Sequence, residues 1–164
     1  MKNLTKQKGF TLIELVVVIV ILGILAVTAV PKFLDLAGDA RVSVMKGVKG
    51  SIESAVSMIH AKALVNNKTS ETDTVVIDGV FYALVYAYPA AASSGTGSGT
   101  SLANPMGIDG LVVLDDIIVT KGTATTDALF QHSGAAVKTT CQLSYEDAAD
   151  KLTRPVITEA LGAC

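Results

Sequence analysis

Few of the 164 residues could do chemistry, and their spacing limits what that chemistry can be. Glu14 lies inside an apolar run from Phe10 to Val30, where a carboxylate costs about 2.5–3.5 kcal/mol on membrane-insertion scales. A charge at that cost asks for a partner. Cys141 and Cys164 are the only cysteines and could form a disulfide, hold a metal or run a redox cycle. His60 and His132 are the only histidines and stand far apart in sequence. A Ser-His-acid triad or a metal cluster would need companions that the sequence does not signal, so both read as satisfied or solvated side chains. Asp109, Asp115 and Asp116 offer oxygens of the kind Ca²⁺ takes, but they match no defensible loop spacing. A structural or surface role is the better reading for them. Asn67-Lys68-Thr69 fits a glycosylation sequon by pattern only. There is no Gly-rich phosphate loop, nucleophile motif or basic-aromatic patch. No enzyme, metal site or cofactor is expected.

The element that must position Glu14 is the apolar run itself. Of residues 10 to 30, 17 of 21 are apolar, and the rest of the chain falls to about 45%, ordinary for a globular domain. The mean hydropathy of +0.51 therefore reflects one membrane-grade segment on a soluble-looking domain. A polytopic membrane protein, a disordered chain and a coiled-coil rod are excluded. Thirteen basic against fifteen acidic residues give no general signal for a polyanion partner. The first nine residues carry Lys2, Lys6 and Lys8 and no acid, which predicts a cytoplasmic N-terminus and an exported remainder. If helical, the run is about 31 Å long and matches a bilayer core. It could be a permanent anchor, a secretory signal peptide cut near Val27-Thr28-Ala29, or a specialised anchor with its own processing site. Its length and Glu14 speak against the signal peptide.

Beyond the run, Phe33, Ala37, Val44, Val48, Ile52, Ala55, Ile59 and Ala63 recur as a helical stripe. The pattern predicts one helix from about 10 to 65, roughly 80 Å if continuous. Pro31 cannot donate to the Val27 carbonyl, so a kink is expected there, with Gly23 a second weak point.

Lys8-Gly9-Phe10-Thr11-Leu12-Ile13-Glu14-Leu15, with Gly23, Pro31 and Lys32-Phe33-Leu34-Asp35-Leu36, resembles the processing motif of type IV pilins and pseudopilins. Residues 9 to about 63 look most like major pilins of the mannose-sensitive haemagglutinin type. The resemblance implies cleavage between Gly9 and Phe10 by a prepilin peptidase and methylation of the new Phe10 amine. Losing the leader leaves ten basic against fifteen acidic side chains, which argues against a broad DNA-binding patch, and no nucleic acid partner is expected. Glu14 is then expected to pair with the Phe10 amine of a neighbouring subunit and set the register of a helical homopolymer. By the same resemblance the segment between Gly23 and Pro31 can unwind in a fibre. An assembly ATPase, a platform protein and an outer-membrane channel are the implied machinery. The precursor would sit in the inner membrane with its head in the periplasm, and later in an extracellular fibre for attachment and biofilm formation.

From Asn66 the sequence is that of turns and strands. Val75-Val76-Ile77, Asp78-Gly79 and Val80 to Tyr86 read as strand, turn and apolar segment. Residues 91–101 read as a surface loop, 111–119 as a β-rich stretch, 135–145 as strand-like and 154–158 as a short edge strand. In an exported chain the two cysteines read as a disulfide worth about 3 kcal/mol rather than as a metal or redox site. Relatives carry such a region on the outside of the fibre. The expected architecture is α+β, a type IV pilin fold with the long helix packed on a small antiparallel sheet. Its parts are a leader (1–9), a filament-core helix half (10–30), an amphipathic half (31–65), the head (66–140) and a disulfide-bounded end (141–164). A pseudopilin of a type II secretion system is the alternative. A membrane-anchored periplasmic enzyme or binding module would need a pocket or catalytic cluster in the head.

Overall fold

The computed structural model describes residues 9–92, 99–103, 105–123 and 126–164, and only the backbone of 33–35. Helix α1 runs Leu12–Val65 and contains Pro31. Val16 to Ile21 are β-branched and poor helix formers in water, yet they are helical here. The C-terminus of α1 closes on Asn67, whose φ of 57° places it in the left-handed region that asparagine tolerates. The Asn67 N–H donates to Leu64 O at 3.0 Å and the Lys68 N–H to Ala63 O at 2.9 Å, satisfying two terminal carbonyls.

The chain divides into two compact units, one up to Ala37 and one from Gly38. In the first, the apolar side chains of Phe10 to Val30 face outward, and an 18-residue window reaches a mean hydropathy of 3.0 with none of it buried. By length and composition it could cross a membrane.

The second unit is α+β. Strands β1 (Asp73–Ile77), β2 (Val80–Val85) and β3 (Tyr88–Pro89) form an antiparallel sheet in the order β1-β2-β3. Asp78 and Gly79 both have positive φ, the geometry of the two-residue hairpin turn expected between β1 and β2. Strands β4 (Ile117–Thr120), β5 (Ala128–His132), β6 (Gln142–Glu146) and β7 (Val156–Ala160) form a second antiparallel sheet in that order. Met45, Val48 and Ile52 of α1 pack with Phe130, Leu143 and Tyr145 of the second sheet. Ile59 and Ala63 pack with Val75, Leu84 and Ala87 of the first. The stripe thus serves two sheets in succession along the helix.

Several expectations need correction. The head holds two sheets rather than one. On the helix Met45 is fully buried while Val44 is 43% exposed, so the buried face lies one residue on from the expected register at this turn. The β-rich reading of 111–119 holds only from Ile117. Leu111 follows a 3-10 turn at Ile108–Gly110, and the exposed pair Asp115-Asp116 lies in a turn closed by Ile117 N–H to Leu114 O at 3.1 Å. The strand expected over 135–145 is confined to β6, because a 3-10 turn at Lys138–Thr140 precedes it. Strand β5 has no counterpart among the sequence expectations, although Ala128, Phe130 and His132 are buried at a period of two. The edge strand expected at 154–158 is β7, shifted two residues on, and the middle of the 91–101 loop (93–98) lies outside the described residues.

Candidate assembly site at the helix N-terminus

Thr11 and Glu14 start the helix together. The Thr11 hydroxyl accepts from the Glu14 N–H at 3.4 Å, and the Glu14 Oε2 accepts from the Thr11 N–H at 2.8 Å and the Thr11 hydroxyl at 2.6 Å. This is a reciprocal capping box, Thr at the N-cap and Glu three residues on. The four N–H groups at a helix start have no partner within the helix, and in an apolar medium each costs several kcal/mol. The box covers the Thr11 and Glu14 donors with one pair of side chains. It also holds the Glu14 carboxylate by one oxygen, while Oε1 has no hydrogen bond among the described residues. The charge also sits well at the positive end of the helix dipole. Glu14 is therefore a fixed anion at the start of an exposed apolar helix, with its second oxygen open to a cation.

The other expected site residues of this unit lie along the same segment. Gly9 and the exposed Phe10 precede the helix, Phe10 within a turn of Glu14. Nothing lies within 4 Å of a Cβ built on Gly23, so no contact in the chain demands glycine there. Pro31 is helical and leaves the Val27 carbonyl without its usual donor. Thr11, quoted in the motif but given no role of its own there, is the N-cap of the helix. Its signal is the Thr-x-x-Glu spacing before an apolar run.

In the second unit Cys141 and Cys164 form a disulfide across 23 positions. The Arg41 Nη1 donates to Cys164 O at 2.6 Å, fixing this end against the helix. His132 is buried, and its Nδ1 accepts from the Gly134 N–H at 3.1 Å. His60 stacks on Tyr88 and its Nδ1 lies 3.1 Å from Ala87 O. Asp109 is buried 3.9 Å from Lys121, whereas Asp115 and Asp116 are exposed. Among the described residues no three His, Cys, Asp or Glu side chains converge to hold a metal. Asn67 of the sequon is committed to the helix C-terminus through its backbone.

Residues 4–30 match the family model described as the prokaryotic N-terminal methylation motif. The chain is 43% identical over 61 residues to the type IV narrow pilus major component of Thermus thermophilus, covering 36% of this chain and 53% of that one. It is 35% identical over 85 residues to a fimbrial protein of Pseudomonas aeruginosa, 44% of this chain and 54% of the other. It is also 49% identical over 53 residues to the type II secretion system core protein G of Pseudomonas aeruginosa, 32% and 37% of the two chains. The chain spans about a third to a half of the length of these curated relatives. No solved structure matches.

Proposed function

We propose that the chain is the major subunit of a type IV pilus of the mannose-sensitive haemagglutinin type, polymerising into an extracellular fibre for attachment and biofilm formation. The observation that carries this reading is the capped, anion-bearing start of a helix whose first apolar stretch is exposed, lying within the methylation motif. Residues 10 to 30 need an apolar environment twice, first lipid and then the helices of neighbouring subunits, where packing replaces lipid contacts.

A prepilin peptidase removes residues 1–9, and the Phe10 amine is methylated. In the fibre that amine, from a neighbouring subunit, is the cation that takes the open oxygen of Glu14. Both charges are then dry, and losing either one costs about 3–5 kcal/mol, enough to set subunit register. Gly23 and Pro31 bound a segment that loosens as subunits pack. The precursor spans the inner membrane, with the N-terminus cytoplasmic and the head periplasmic. An assembly ATPase, a platform protein and an outer-membrane channel move it outward. The likeness to a secretion-system core protein supports a second reading, a pseudopilin in a secretion piston.

Electron microscopy of cells with and without the chain separates the two, paired with mass spectrometry of its N-terminus. Surface fibres that disappear with the chain, and a mature N-terminus at methylated Phe10, are expected. Processing at Phe10 with no surface fibre favours the pseudopilin. An N-terminus at Val30 removes both readings.

A further inference from the structure

Lys49, Glu53, Val56 and His60 recur at four, three and four residues, so they share one face of α1 beside the buried stripe. Facing them are Tyr88, from the end of the first sheet, and Arg154 with Ile157, at the start of β7. Together they enclose an open cleft of about 460 Å³, within the about 300–1,000 Å³ typical of small-ligand sites. The cleft lies wholly in the unit from Gly38, so its ligand chemistry is independent of whether the chain polymerises.

The cleft wall is set by strain. Tyr86 and Ala87 form the β2–β3 turn with φ of 49° and 72°, a left-handed pair that normally takes Asn-Gly. Such residues are strained and persist only where their surroundings hold them. Here the turn presents the Ala87 carbonyl to the His60 Nδ1 at 3.1 Å and lays Tyr88 on the imidazole, with ring centroids 3.9 Å apart and planes 2° apart. A carbonyl only accepts, so Nδ1 carries the hydrogen and Nε2 of the neutral ring is an acceptor.

The charges decide the ligand class. Lys49 is already paired with Glu159 at 3.2 Å, and Glu53 and Arg154 both line the cleft. The cations do not outnumber the anions, so a polyphosphate or nucleic acid strand finds no net attraction. Arg154 has no salt bridge among the described residues, so its guanidinium can take one carboxylate through paired N–H donors. Glu53, Ser57 and the His60 Nε2 are acceptors suited to hydroxyl groups, and Val56, Pro155 and Ile157 supply apolar surface for a ring's C–H face.

We propose that this cleft binds a single hexuronic acid residue carried on an otherwise uncharged glycan. Arg154 holds the carboxylate, Glu53 and Ser57 take ring hydroxyls, and His60, fixed by the strained turn, takes a third.

The test uses the full chain in phosphocholine micelles, titrated with methyl β-glucuronide, methyl β-glucoside and acetate. The two histidines serve as reporters through their imidazole C–H resonances, His60 in the cleft and buried His132 as the control. The His60 signal should shift saturably with the glucuronide while His132 stays still. The glucoside should bind about tenfold or more weakly, and Arg154→Gln should bring the glucuronide down to the glucoside's affinity. Glu53→Gln should weaken both sugars alike. An unmoved His60 signal overturns the proposal. So does a shift that acetate reproduces, which marks a bare anion site, or an Arg154→Gln variant that keeps full affinity.

Discussion

At the scale of single residues, Thr11 and Glu14 have separable roles despite three shared hydrogen bonds. Thr11 serves the helix, whereas Glu14 serves both the helix and, in the proposed fibre, the neighbouring amine. Replacing an N-cap threonine by alanine costs about 0.5–2 kcal/mol, confined to the first turn. Thr11→Ala should therefore speed amide hydrogen exchange at Ile13 and Glu14 by roughly fivefold in micelles, with a smaller effect on fibre yield. Glu14→Ala or Glu14→Val should leave processing and membrane insertion intact and cut fibre yield severely, read by immunoblot of the sheared surface fraction. Equal fibre yields from Thr11→Ala and Glu14→Ala would mean that the carboxylate acts only as a cap. Glu14 draws attention in the sequence because a charge in an apolar run stands out. Thr11 does not stand out, since threonine is unremarkable until its spacing to Glu14 is read as a helix start.

At the scale of elements, the two sheets are tied by side chains that no periodicity reveals. The Tyr145 hydroxyl, at the end of β6, donates to Pro89 O at 2.6 Å, and the Asp147 Oδ1 accepts from the Ala91 N–H at 2.6 Å. The same side of β6 therefore holds both ends of the segment that leaves β3. Burial pushes the Tyr145 hydroxyl pKa up, and the neighbouring Asp147 charge adds to the effect. Burial also raises the Asp147 carboxyl above the usual aspartate range, with the charges of Asp127 and Glu146 adding to the shift and the Ala91 N–H opposing it. A raised folded-state pKa means that the folded chain holds this proton more tightly than the unfolded one. Its contribution to stability is complete below about pH 4 and is lost as pH rises through the raised value. Asp147→Asn keeps an acceptor for Ala91 and removes the titration. The variant should gain stability relative to the parent between pH 4 and pH 7, measured as urea midpoints at both values. Asp73 and Asp150 shift the opposite way, through Lys68 and through the N–H groups of Leu152 and Thr153, but they are common to both chains and cancel. An unchanged difference between the two pH values would show that Asp147 does not titrate in that range. Strands β1 and β2 are legible because Asp78-Gly79 separates two alternating runs. The division into two sheets is not, because it rests on which strands pair, and the hydrogen bonds that tie the sheets come from residues 145 and 147, far along the chain from 89 and 91.

At the scale of the whole molecule, the two units carry different demands and the sequence marks each in its own way. The unit up to Ala37 is legible as one exposed apolar helix, since apolarity over twenty residues has a single strong structural reading. The unit from Gly38 is legible in class but not in strand order, because its core draws on positions from Met45 to Tyr145 that only folding brings together. The disulfide is the device that closes this second unit. It spans β6 and β7, and its Cys164 end is held again by Arg41 and by hydrogen bonds between Thr140 and Ala163. Cross-linking a loop of this length stabilises by about 3 kcal/mol in the chain-entropy model, so replacing both cysteines by serine should lower the melting temperature of this unit by roughly 10 °C. All four tyrosines, Tyr82, Tyr86, Tyr88 and Tyr145, lie in it and there is no tryptophan, so the tyrosine band near 280 nm in the circular dichroism of the full chain follows this unit as it melts. Membrane insertion should be unchanged in the same variant, because residues 10 to 30 make none of these contacts. A melting temperature within a few degrees of the parent would mean that Arg41 and the β6–β7 ladder hold Cys164 in place without the covalent bond.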